Sequence, residues 1–228
     1  MEILPDVKTG ETYPLARFQK FIISSLYGWR KKADTSIRRF RKAIVSVARK
    51  NGKTILIAGV LLYEFLFGRN PALSRQLFCT ANDRTQAKIA WTMAKKQLEA
   101  LRNKYADIRK NTKVMRDELV NKKDESYIRA LSRDTGAVDG FEPYVGVLDE
   151  YAASKTDEML ELLASGQGQL DNPLILIIST AGLDLNVPMH TVEYQYASRI
   201  LDEEIEDDSY FAFIAEQESV DEIKEEES

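Results

Sequence analysis

The stretch that most constrains this chain is residues 43–67, AIVSVARKNGKTILIAGVLLYEFLF. It opens with Ala43, Ile44, Val45, Ser46 and Val47, a short β-branched run of the kind a buried strand requires. It closes with Thr54 to Phe67, apolar for long enough to make about three to four helical turns. Between them lies Arg49-Lys50-Asn51-Gly52-Lys53-Thr54. A strand, a Gly-Lys-Thr turn and a helix form the setting that a phosphate-binding loop needs. The first turn of a helix leaves backbone N–H groups unpaired, and the helix dipole adds partial positive charge there. In such a loop Gly52 lets the backbone approach a phosphate, Lys53 reaches the β and γ oxygens, and Thr54 offers its hydroxyl to Mg²⁺. The common pattern, G-x-x-x-x-G-K-S/T, would put its first glycine at Val47, so the loop is degenerate. A bare Gly-Lys-Thr also fits a helix start with a solvated lysine. The flanking strand and helix favour the phosphate loop.

The remaining strand and helix signals alternate along the chain. Leu15, Phe18, Ile22 and Leu26 predict a helix over 13–29, with Gln19 on the margin of its apolar stripe. Residues 30–42 are rich in Arg and Lys and read as an exposed loop. Gln76 to Ala81 reads as a strand, and Asn82 or Asp83 as the cap of a helix reaching about Tyr105. Within 107–126, Val114, Met115, Leu119 and Val120 hint at short strands or a hairpin. Tyr127 to Leu131, Tyr144 to Leu148 and Leu174 to Ile178 read as further strands, with a loop over 132–143. Thr156 is the expected cap of a helix over Asp157 to Ala164. An amphipathic helix over 189–205 and a last strand or edge segment at Tyr210 to Ala215 complete the reading. Continuous apolar strands alternating with helices imply an α/β fold whose mainly parallel sheet is covered on both faces. Ligands then sit at the carboxyl ends of the strands.

Length and charge narrow the class. At 228 residues, 44% hydrophobic and 30% charged, the chain has the composition of a globular α/β domain. Its longest apolar run, Ile55 to Phe67, is interrupted by Glu64 and too short for a bilayer, so no membrane is expected. One cysteine, Cys79, makes no internal disulfide, and a reducing, cytoplasmic setting is expected. Residues 1–200 carry a net charge of +8 and residues 201–228 a net of −12. The basic body suits a polyanionic partner or simply a solvated face, and the acidic end reads as a tail or linker.

Two further constellations carry chemistry. Val145-Gly146-Val147-Leu148 runs into Asp149-Glu150, placing two carboxylates where a buried strand meets solvent. In a nucleotide hydrolase the first acid holds the metal and the second orients and deprotonates the attacking water. Both could instead merely cap the following helix. Ile178-Ser179-Thr180-Ala181-Gly182 puts small hydroxyl residues at another strand end, able to bond a γ-phosphate or to satisfy an ordinary turn.

Together, Val47-Ala48-Arg49-Lys50-Asn51-Gly52-Lys53-Thr54, Leu148-Asp149-Glu150-Tyr151-Ala152 and Ser179-Thr180-Ala181-Gly182 resemble the ATPase domain of tailed-phage terminase large subunits. The similarity runs from about Tyr13 to the end. The degenerate loop, with Val47 for glycine and Arg49-Lys50 inside it, is typical of that family. The resemblance implies a P-loop NTPase core over 1–184 and a lid and acidic linker over 185–228. The family's RNase H-like nuclease domain is not expected within this chain. It implies an ATP-hydrolysing motor that drives double-stranded DNA into a capsid. That motor would assemble as a homo-oligomeric ring on the portal, with a terminase small subunit as partner.

Carried over, the loop residues Arg49, Lys50, Asn51, Gly52, Lys53 and Thr54 would bind the triphosphate. Thr54 and Asp149 would hold Mg²⁺, and Glu150 would be the catalytic base. Thr180, with Ser179, would couple hydrolysis to movement. Gln19 resembles the adenine-reading glutamine, or is a surface helix residue. An arginine finger is expected on charge grounds. Arg49 could act in cis, and Arg129 or Arg133 across a ring interface. A helicase-like ATPase and a non-catalytic ATP-binding assembly module remain rival readings.

Overall fold

The computed structural model describes residues 4–81, 84–131, 141–182 and 184–215. Its centre is an eight-stranded sheet of order β3-β4-β5-β2-β6-β7-β1-β8. The strands are β1 (Lys42–Ser46), β2 (Gln76–Thr80), β3 (Thr112–Val114), β4 (Glu118–Asn121), β5 (Tyr127–Leu131), β6 (Pro143–Asp149), β7 (Leu174–Ser179) and β8 (Tyr210–Ile214). From β5 to β8 every pairing is parallel; β3 and β4 form an antiparallel hairpin at one edge. The apolar strand runs thus behave as a parallel sheet requires, because both of its faces are covered.

Successive strand residues point to opposite faces, and the two cores divide accordingly. Ala43 and Val45 of β1, with Val145, Val147, Leu176 and Ile178, pack on α1 (Arg17–Gly28), α2 (Lys53–Phe67) and α3 (Arg84–Lys104). Ile44 and Ile175, Ile177 and Leu148 pack instead on α5 (Glu158–Gly166) and on the 189–201 segment. A short α4 (Ala106–Asn111) leads into the hairpin. α2 is apolar around most of its circumference because it is enclosed by the sheet, α1 and α3. Among the described residues no helix is long and apolar enough to cross a membrane.

Several expectations need correction. The first helix starts at Arg17 rather than residue 13, and Leu15 lies ahead of it. The α5 N-cap is Asp157, one residue beyond Thr156. The segment expected as one helix over 189–205 begins as a π-helical turn, Met189–Tyr194, and continues as α6, Gln195–Leu201.

Residues 185–228 are not wholly a lid and linker. Tyr210–Ile214 returns to the core sheet as β8, pairing in parallel with β1 from Lys42↔Tyr210 to Ser46↔Ile214. Its aromatic side chains pack there, Phe213 against Phe18 and Phe21, and Phe211 against Phe21 and Phe40. The basic loop before β1 is also not uniformly exposed. Arg38 is 2% exposed and forms a buried ion pair with Glu64 of α2 at 2.9 Å, completed by Tyr144 and Asn172. The polar residue that interrupts the α2 apolar run is therefore the partner of this arginine. The expected caps Asn82 and Asp83 lie outside the described residues.

Candidate functional site

Parallel pairing brings the three motifs to one rim. β7 lies between β1 and β6, so the loop after β1, the acids ending β6 and the hydroxyls ending β7 emerge side by side. Register makes this concrete, with Ser46 opposite Ser179 and Asp149 opposite Ile178. Neighbouring parallel strands are about 4.8 Å apart, so the loop after β1 and the acids ending β6, two strands apart, stand on the order of 10 Å from each other.

The loop from Val47 to Gly52 turns tightly. Lys50 and Gly52 both take positive φ, 68° each, and Gly52 is the N-cap of α2. A side chain at Gly52 would be strained there and would also meet the Gln19 amide 2.7 Å away. The Val47 amide donates to the Ser179 carbonyl, tying the base of the loop to the end of β7. Lys53 Nζ donates to the carbonyls of Val47 and Ala48 at 3.1 and 3.0 Å. Asn51 Nδ2 donates to Ala48 as well. Thr54 follows in the first turn of α2, while Arg49 and Lys50 are exposed on the loop.

Partial burial raises the Asp149 carboxyl to about 6, and adjacent Glu150 adds to this, against the Glu150 amide and Lys53. Burial also lowers the Lys53 ammonium, while Asp149 and Glu150 oppose that change. Glu150 is exposed and sits in the left-handed region at φ 53°, at the start of a 3₁₀ turn, Tyr151–Ala153. A non-glycine residue held in that region is strained, and such strain collects at functional positions.

The remaining expected residues divide. Thr180 is partly exposed at the rim. Ser179 is fully buried, and its hydroxyl accepts from the Ala152 amide at 3.0 Å. This bond fastens the turn after Glu150 to β7. Arg129 lies on β5, paired with Glu118 at 2.8 Å and stacked over Tyr127, three strands from β7. Arg133 lies outside the described residues. Gln19 is 1% exposed rather than on a surface margin. Its Nε2 donates to the carbonyls of Asn51 and Gly52 at 3.2 and 3.5 Å, and its Oε1 accepts from the Ala16 amide. The amide expected at the adenine edge here bonds the phosphate loop. Sequence reasoning missed this latch because a single glutamine at the edge of a helical stripe gives no sign of what it touches.

A parallel sheet whose Gly-Lys-Thr loop faces two strand-end acids defines a class, the α/β nucleotide hydrolases of phosphate-loop type. The family model for the terminase large subunit ATPase domain matches residues 17–199, and the chain belongs to that family. The large terminase subunit of Enterobacteria phage HK97 is 33% identical over 181 residues, covering 78% of this chain and 34% of that protein. The crystal structure of the HK97 large terminase superposes with a TM-score of 0.76 at 25% identity, over 96% of this chain and 43% of the other. The large terminase of the thermophilic bacteriophage D6E, in complex with ADP, shares the fold at a TM-score of 0.54 and 15% identity, over 87% of this chain and 45% of the other. The chain thus spans about a third of the curated relative's length.

Proposed function

We propose that this chain hydrolyses ATP with Mg²⁺ as the motor of a DNA-packaging terminase, converting each turnover into movement of double-stranded DNA. The observation that carries the reading is the convergence of Lys53, Asp149 and Thr180 on one rim of the sheet, in a chain of the terminase ATPase family. ATP is the substrate. Backbone N–H groups at the start of α2 would take its phosphates. Lys53, already at the loop, would exchange the Val47 and Ala48 carbonyls for phosphate oxygens. Arg49, exposed on the loop, would add charge in cis.

Thr54 and Asp149 fit a Mg²⁺ site. This hard cation takes oxygen donors, and nucleotide sites need only one or two carboxylates besides the phosphates. Burial, and then Glu150, raise the Asp149 carboxyl despite Lys53, and a cation beside it would offset that cost. Mg²⁺, when bound, neutralises charge that develops on the transferring phosphoryl group. Glu150, exposed and aimed by its turn, would take the proton of the attacking water. Thr180, one residue beyond the Ser179 anchor, would report the γ-phosphate to the segment running through Ala181 and Gly182. The His190 ring contacts the Ala181 carbonyl, which links that segment to the π-helical turn.

Acting with a small subunit and the portal, in a homo-oligomeric ring in the host cytoplasm, is part of this proposal. Glu150→Gln should lower ATP turnover by at least about 100-fold while sparing ATP binding, given what a general base contributes. Unchanged turnover would show that the base is another group. ATP binding without any wild-type turnover would favour the assembly-module reading.

A further inference from the structure

At the rim opposite the nucleotide site lies a cavity of about 1120 Å³. Its walls come from the ends of elements that begin or finish away from the phosphate loop. These are Tyr27 near the end of α1 and Arg30 beyond it, Phe67 ending α2 and Arg69 beyond it, and Tyr144 at the start of β6. A second cavity of about 540 Å³ shares Phe67, Gly68 and Arg69 with the first and continues to Asn121, which ends β4, and Lys123 beyond it. The two form one trough along the strand-start rim. It runs from β1 and β7 to β4 and β5, about 20–25 Å at the usual strand spacing.

The charge of this trough has one sign. Two carboxylates line it, and each is neutralised by a buried arginine. Glu64 is held by Arg38 at 2.9 Å and Asp124 by Arg75 at 2.5 Å. The other charged groups in its walls are the cations Arg30, Arg69 and Lys123, for which no carboxylate partner is found among the described residues. Lys31, Lys32 and Lys122 stand exposed at its margins, against Asp34 and Glu125. Exposed Phe67 (50%) and Leu73 (64%) supply apolar contact between the cations.

We infer that this trough is a docking surface for the phosphate backbone of duplex DNA, with Arg30, Arg69 and Lys123 as the phosphate contacts. The inference rests on the reading of the chain as a DNA motor and adds the place where DNA is held. Duplex DNA carries one charge per about 1.7 Å of its axis, so a cationic strip of this length meets many phosphates and reads no base sequence. The position also supplies a mechanical link. α2 starts at the phosphate loop with Lys53 and ends at Phe67, next to Gly68 and Arg69 in the trough wall, about 22 Å away along a 15-residue helix.

The test is binding of a random-sequence 30-base-pair duplex, about 100 Å long by its rise per base pair, by the 228-residue chain across a salt series. The triple variant Arg30→Gln, Arg69→Gln, Lys123→Gln should lower the slope of log K against log salt by about 3, since each phosphate contact contributes about 0.9. Its affinity at 0.1 M salt should fall on the order of 100-fold, with DNA-free ATP turnover unchanged. A control triple, Lys8→Gln, Lys96→Gln, Lys155→Gln, removes the same charge away from the trough and should leave the slope in place. Should the triple variant lose turnover through misfolding, the single variants repeat the test at about 0.9 each. Wild-type binding with the same slope in the trough variant, or an equal loss in the control, overturns the trough and leaves the DNA reading standing. A wild-type chain that turns over ATP and binds no duplex at low salt overturns both.

Discussion

Asp149 shows how one residue can serve a site at the expense of the fold. Its carboxyl ordinarily titrates near 3.8 and is raised to about 6 in the folded chain, chiefly by burial and then by Glu150. A raised carboxyl pKa means that the folded state binds the proton more tightly, so its stabilising contribution is complete below about 3.8 and is lost as pH climbs through about 6. Above that window the buried charge costs about 3 kcal/mol, at 1.36 kcal/mol per pKa unit. Asp149→Asn should therefore raise the melting temperature of the nucleotide-free chain at pH 7.5 and give little gain at pH 4.5. Thermal melts at the two pH values check this. Gln19 makes a second prediction at this scale. Gln19→Glu keeps the acceptor for the Ala16 amide and removes the donor to the Asn51 and Gly52 carbonyls. Losing one to two such bonds, about 1–1.5 kcal/mol, should raise KM about tenfold. If the side chain acts as a loop latch, KM rises equally for ATP and GTP; an adenine reader loses selectivity for ATP instead. Steady-state kinetics with both nucleotides separates these roles.

Among the elements, α2 joins the most functions. Its first turn carries Lys53 and Thr54, its middle is core, and Glu64 near its end closes the buried network of Arg38, Tyr144 and Asn172. Burial alone would disfavour the charge on Arg38, but the facing Glu64 outweighs it and keeps the guanidinium firmly protonated. Removing one member of a buried pair leaves the other uncompensated. Glu64→Leu should thus cost about 3–5 kcal/mol of stability, and Glu64→Gln less, because it keeps an acceptor for the Tyr144 hydroxyl. Denaturant midpoints of the two variants measure the difference. Because this network joins the end of α2 to the start of β6, the destabilised variant should lose stability before it loses any residue of the nucleotide site.

Over the whole molecule, the parallel sheet sets two rims apart, with the candidate nucleotide site on one and the cationic trough on the other. The sequence by itself determined the strand–loop–helix around Lys53, the acids after an apolar strand at 149 and 150, and the hydroxyls after β7. Each depends on local periodicity and turn chemistry, which neighbouring residues contain. Only the tertiary structure decided that β7 separates β1 from β6, that Tyr210–Ile214 belongs to the core sheet, and that Gln19 holds the loop. It alone paired Arg38 with Glu64 and gathered Arg30, Arg69 and Lys123 into one trough. These outcomes come from pairings between residues far apart in the chain. Their energies depend on burial and geometry, and no local pattern encodes those.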